Sequence, residues 1–200
     1  MVINYKTHDK NLMKNISRRW FFCDPNNDKC LNTFYNIKND IGIIFYKKKN
    51  LDSNFFKLLK EYVDVCKKTK KIFLIPHSVY WAKKYNANGV YISIHRQRNS
   101  LSTRLNLLKT NKLIVATSIH NMKEMYLSRK ANFDFIFISP AFKTNSHKEL
   151  AEHRKIRFIN LCKYSNTNVF ALGGMNEVRF KSLKNKYLTG FGGIESFNYL

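Results

Sequence analysis

The stretch FDFIFISPAFKTNSH, residues 133–147, changes character at its middle. Phe133–Ser139 is a run of aromatic and β-branched residues suited to a buried strand, and at Pro140 the chain turns to a lysine, hydroxyls and a histidine. The same change, from a short apolar run to a polar break and then a segment with helical spacing, recurs along the whole sequence. It predicts eight strands: RWFFC (19–23), IGIIFY (41–46), KIFLI (71–75), GVYIS (89–93), KLIVATS (112–118), FDFIFIS (133–139), NVFALG (168–173) and TGFGGI (189–194). Between them lie amphipathic segments such as LDSNFFKLLKEYVDVCKK (51–68), where Phe55, Leu58, Leu59, Tyr62, Val63 and Cys66 recur at three- and four-residue steps. SVYWAKKYN, SLSTRLNLLKT, NMKEMYLSRKA and NEVRFKSLKNK read the same way. Strand and helix alternating eight times over predict an α/β fold, a compact (β/α)8 TIM barrel that takes residues 1–200 as a single domain. An open, doubly wound sheet is the alternative, because periodicity does not show closure. The chain is short for a barrel, and its last helix is the stub ESFNYL.

Two hundred residues with 44% hydrophobic content suffice for one sizeable core. No apolar run approaches the roughly 20 residues of a membrane helix, and MVINYKTHDKNLMKN at the start lacks a continuous apolar signal region. The expectation is a soluble, cytoplasmic protein with no membrane partner. Cys23, Cys30, Cys66 and Cys162 are widely spaced and form no C-x-x-C pair, so packed, reduced thiols are expected rather than zinc or disulfides. The formal charge is +23, yet the lysines are spread over the polar sides of the helices and no nucleic-acid-binding motif accompanies them. Solvated surface charge is the better reading, and the positive field would still favour phosphorylated small substrates.

In a barrel, reactive groups collect where strands end, since the loops that follow converge on one mouth. His77, His95 and His120 each fall just after a predicted strand, and His147 lies in the loop after the sixth. For His77 and His95 a capping or core imidazole is the plainer reading; His120 and His147 are the candidates for catalysis. ALGGMN (171–176) and GFGGIES (190–196) close the last two strands. Glycines there let backbone N–H groups approach an anion, which makes Gly173, Gly174, Gly192 and Gly193 candidate phosphate-binding residues.

ANGVYIS (87–93), TSIH (117–120), ANFDFIFISPAFKTNSH (131–147), VFALGGMN (169–176) and GFGGI (190–194) stand in the order and near the spacing of the thiamine phosphate synthase/TenI family, over about the last two thirds of the chain. The sequence resembles divergent bacterial members with Thr-x-Ser-His in place of the more usual Thr-x-Thr-Lys. The resemblance implies a (β/α)8 barrel that binds thiazole phosphate, with the phosphate on the last two glycine loops and Ser118, Thr144 and Ser146 among the substrate contacts. It further implies a synthase that joins hydroxymethylpyrimidine diphosphate to thiazole phosphate and releases diphosphate. Such a site must stabilise the leaving diphosphate and keep water from the carbocation.

In the family a Gln-x-Arg-x-Lys strand end and magnesium-binding carboxylates serve the diphosphate. The matching stretch here is IIFYKKKN, where Lys47, Lys48 or Lys49 must substitute, with Lys48 taken as the substrate contact. Pro76-His77 and HRQRNS (95–100) stand where the family carries metal-binding residues. Magnesium is therefore implied by resemblance but poorly served by these residues, and Lys48, Arg96 and Arg98 are the cations available to a diphosphate instead. Two other functions fit the same residues. A TenI-like tautomerase needs no diphosphate site, only a proton shuttle such as His120 with His147 beside it. A non-catalytic thiazole phosphate binder needs only the glycine cradle. A basic nucleic-acid-binding protein is the remaining, less favoured reading, and the oligomeric state is left open.

Overall fold

The computed structural model describes residues 16–47, 53–76, 78–94, 101–143 and 152–197. Within them eight parallel strands run β1 Arg19–Cys23, β2 Gly42–Phe45, β3 Phe73–Pro76, β4 Gly89–Tyr91, β5 Ile114–Ile119, β6 Phe135–Ile138, β7 Asn168–Leu172 and β8 Leu188–Gly193. Each pairs with the next, and β8 returns to β1 through Arg19↔Phe191, Trp20↔Gly192 and Phe21↔Gly193. The sheet is a closed barrel, which decides against the open alternative.

Seven helices are described: α1 Asp28–Asn36, α2 Ser53–Lys68, α3 Val79–Tyr85, α4 Leu101–Thr110, α5 Met122–Ala131, α6 Lys155–Tyr164 and α7 Glu177–Leu183. Short polar residues set several of their ends. The Ser78, Asn121 and Asn176 side chains accept hydrogen bonds from the first turns of α3, α5 and α7, and Asn86 and Asn132 stop α3 and α5 in the left-handed conformation. The segment 194–197 forms bends and turns where a terminal helix stub is expected from the sequence, and the rest of ESFNYL lies outside the described residues. Helices α1 and α6 have no counterpart among the helices named from periodicity.

Alternation along the strands sorts side chains to two sides of the barrel wall. Trp20, Phe22, Ile44, Leu74, Ile114, Ala116, Phe135, Phe137 and Phe170 fill the interior, whereas Phe21, Cys23, Ile43, Phe45, Val115, Ile136 and Val169 face the helices. The interior is unusually aromatic. Trp20 stacks on Phe135 at 5.0 Å between centroids, and Phe137 meets Phe22 edge-on at 5.0 Å and Phe170 at 5.5 Å. Room for these rings comes from the neighbouring strands. Trp20 is flanked in register by Gly42 and Gly192, and a Cβ at Gly42 would lie 2.6 Å from the indole.

All four cysteines are free and buried. Burial pushes the Cys66 and Cys162 thiols up to about 12 and raises Cys23 and Cys30 as well, so the protonated thiol prevails over the thiolate.

A candidate active site at the barrel mouth

A cavity of about 460 Å³ opens at the C-terminal ends of the strands. Phe22, Tyr46 and Tyr91 line its β1–β4 side, with Leu172 and Ile194 adding apolar surface. Tyr91 Oη and Ser118 Oγ are 2.5 Å apart, and burial pushes the phenol up to about 12, so it is neutral and able to donate. In the strand-2 stretch IIFYKKKN, Ile44 lies inside the barrel and Tyr46 at the cavity, while Lys48, taken as the substrate contact, lies outside the described residues.

The opposite side is polar. It comprises His120, Ser139, Lys143, the loop Gly173–Asn176, Arg179, and Gly193 with Glu195 and Ser196. A capping arrangement places His120. Asn121 accepts from Glu124 N–H at 3.0 Å, its amide donates to Glu124 Oε1 at 2.6 Å, and Glu124 Oε2 accepts the His120 N–H at 2.7 Å. The backbone leaving β5 is therefore pinned by a buried carboxylate. The ring is then oriented by the chain leaving β6, for His120 Nδ1 lies 2.8 Å from the Ser139 carbonyl oxygen. A carbonyl only accepts, so Nδ1 carries the hydrogen and Nε2 is the basic nitrogen of the neutral ring. His120 thus precedes the helix cap and belongs to the cavity, rather than to the body of α5.

The loops after β6 and β7 interlock. Ala141 and Phe142 N–H donate to the Leu172 and Gly173 carbonyls at 2.8 and 3.1 Å. Gly173 and Gly174 have φ of +90° and +60°, and a Cβ on Gly174 would lie 2.4 Å from the Lys143 carbonyl oxygen. Arg179 donates to the Gly174 carbonyl, and its guanidinium lies 5.2 Å from the Phe142 ring centroid. Lys143 and Arg179 consequently give this end of the cavity two cations beside the glycine loop.

Among the residues expected at the site, Ser118, His120, Gly173, Gly174 and Gly193 line the cavity. Gly192 sits in the barrel wall beside Trp20, its missing Cβ directed at Phe137 and Phe22. Lys48, Thr144, Ser146 and His147 lie outside the described residues, as do His77, His95, Arg96 and Arg98. Sequence reasoning missed Tyr46, Tyr91 and Arg179 at the cavity, and also His153, which is not among the residues lining it. His153 precedes α6 rather than following a strand, so the strand-end rule passes over it. It is buried, its N–H donates to the Pro140 carbonyl at 3.1 Å, and its Nε2 has no hydrogen-bond partner among the described residues. Burial, reinforced by Arg157, lowers its pKa from 6.5. The unfolded chain binds that proton more readily, so the stability carried by the neutral ring is complete above about pH 6.5 and declines as the pH falls.

Magnesium finds little support in this lining. Glu195 is its carboxylate, and no group of three or more metal-ligating residues occurs among the described residues.

Fold and site together define a (β/α)8-barrel protein whose ligand cavity sits at the mouth formed by the strand ends. Residues 24–196 match the thiamine monophosphate synthase (TMP-TENI) family, and the chain belongs to it. The "Putative thiamine-phosphate synthase 2" of Aquifex aeolicus is 29% identical over 162 residues, covering 80% of this chain and 85% of that one. A thiamine-phosphate synthase of Prochlorococcus marinus subsp. pastoris is 29% identical over 140 residues, covering 69% of this chain but 38% of its own length. In fold, the chain is similar to thiamine phosphate pyrophosphorylase from Pyrococcus furiosus, with a TM-score of 0.73 at 14% identity over 94% of this chain and 90% of that one.

Proposed function

We propose that the protein forms thiamine phosphate from thiazole phosphate and hydroxymethylpyrimidine diphosphate. The observation that carries this reading is the glycine loop after β7 with Lys143 and Arg179 beside it, in a chain of this family. The thiazole phosphate places its anion there and its ring toward Tyr46 and Tyr91. The thiazole nitrogen then bonds to the pyrimidine methylene carbon while the carbon–oxygen bond to diphosphate breaks, and diphosphate leaves. Lys48, Thr144 and Ser146 complete the substrate contacts in this reading, and a cytoplasmic setting suits it. Incubation with both substrates, with and without magnesium, is expected to yield thiamine phosphate detectable by mass. Absence of product under both conditions, with both substrates bound, would remove this reading.

One observation favours a second activity. The His120 ring has its hydrogen on Nδ1, so Nε2 can take a proton from one ring position of a non-aromatic thiazole phosphate tautomer and return it to another, with His147 as its partner. Supplying that tautomer alone distinguishes the two, since aromatisation then proceeds without any pyrimidine.

Both readings require the glycine loop. Gly174→Val is expected to weaken thiazole phosphate binding about tenfold or more in calorimetry. Its side chain would meet the Lys143 carbonyl and disfavour the observed φ, so the β6 and β7 loops must separate. Unchanged affinity in a folded variant would make Gly174 a turn residue only.

A further inference from the structure

The crease between α5 and α6 encloses about 970 Å³ and shares no lining residue with the mouth cavity. Its charge is one-sided. Arg129, Arg154, Arg157 and Lys163 line it without a carboxylate, and none of them forms an ion pair among the described residues. Its kind of charge also differs from the rest of the chain. Lysines outnumber arginines three to one in the sequence, yet this lining holds three of the nine arginines and one lysine. Arginine offers the planar fork that grips a carboxylate with two hydrogen bonds, whereas lysine is a point charge.

Apolar side chains stand among these cations without cover. Ile156 is 76% exposed between Arg154 and Arg157, Tyr164 is 53% exposed, and Met122 is 41% exposed. The Arg129 guanidinium lies 5.3 Å from the Tyr164 ring centroid, which holds both groups toward the crease. Arginine, tyrosine and methionine around an apolar centre are the residues enriched at protein interfaces. A second copy of this chain fits poorly, since it would bring another +23 against the same cations. A nucleic acid would satisfy the arginines but offer a phosphate backbone to Ile156 and Met122. An acidic helix with one apolar face satisfies both, and a crease between two ten-residue helices, each about 15 Å long, accepts about three turns of it.

We propose that the α5–α6 crease docks an acidic amphipathic helix of a partner protein. The probe is a fluorescein-labelled peptide of about 18 residues, with glutamates on one face and leucines on the other, measured by anisotropy against the full-length chain. It is expected to bind, and its glutamine counterpart is expected not to. The double variant Arg129→Glu/Lys163→Glu, and separately Ile156→Ser, should each lower affinity about tenfold or more with melting temperature and mouth-cavity binding unchanged. Failure of the acidic peptide to bind, or equal binding by the wild type and both variants, overturns the proposal. So does displacement of the peptide by an 18-nucleotide single-stranded DNA that binds more tightly in the same salt. A homodimer in sedimentation that Arg129→Glu dissolves would assign the crease to a second copy instead.

Discussion

Gly190→Ala is expected to cost about 3 kcal/mol of stability, lowering the melting temperature by roughly 6–12 °C. Gly190 lies where β8 closes onto β1, beside a bulge in which the β7 register steps from Leu188 to Gly190 across Val169 and Phe170. A Cβ there would come within 1.8 Å of the Arg18 carbonyl oxygen. That oxygen accepts the Phe191 N–H at 3.0 Å, so relieving the clash pulls apart a hydrogen bond of the closing seam. The obstacle is backbone, which has no rotamer to change. Gly42→Ala supplies the comparison, because its new methyl would meet the Trp20 ring, a side chain rather than backbone. If thermal unfolding of Gly190→Ala stays within about two degrees of wild type, the bulge absorbs the methyl and the seam is softer than described.

His120→Gln is expected to lower the turnover number about a hundredfold or more, in the range that general acid–base groups usually supply. Glutamine keeps a donor for the Ser139 carbonyl but has no basic nitrogen to exchange a proton. Substrate affinity should change far less than turnover, since Lys143, Arg179 and the glycine loop remain. Loss of tautomer aromatisation with intact thiamine phosphate formation would confine His120 to the second activity. Wild-type rates in both assays would leave it with the structural task of joining the β5 and β6 loops.

The strands were legible because each is short, apolar and bounded by a polar break, and the eight observed strands fall within or against the eight predicted runs. The edges moved for local reasons. KIFLI was expected to begin at Lys71, but that side chain turns to the Ile37 carbonyl and Asn39, and the strand begins at Phe73 and ends on Pro76. Closure was open from the sequence, because the pairing of Arg19 with Phe191 depends on register between segments at opposite ends of the barrel order. Helix α6 was passed over because exposed Ile156 and Tyr164 blur the stripe made by Phe158, Leu161 and Cys162. At the site, the strand-end rule reached His120, Ser118 and the glycines. It had no purchase on Arg179, which lies inside a helix among many basic residues, or on Tyr46 and Tyr91, whose side chains read as ordinary strand aromatics. Gly192 was named with its neighbour for an anion, and in the structure its missing Cβ leaves room for aromatic rings.

The buried, protonated sulfurs have a practical corollary for studying the molecule. Maleimide dyes attack thiolates, and Cys23, Cys30, Cys66 and Cys162 offer them neither access nor ionised sulfur at neutral pH. One cysteine introduced on an outer helix would therefore take a fluorophore selectively in the native protein, with no need to strip the chain of its own sulfur first.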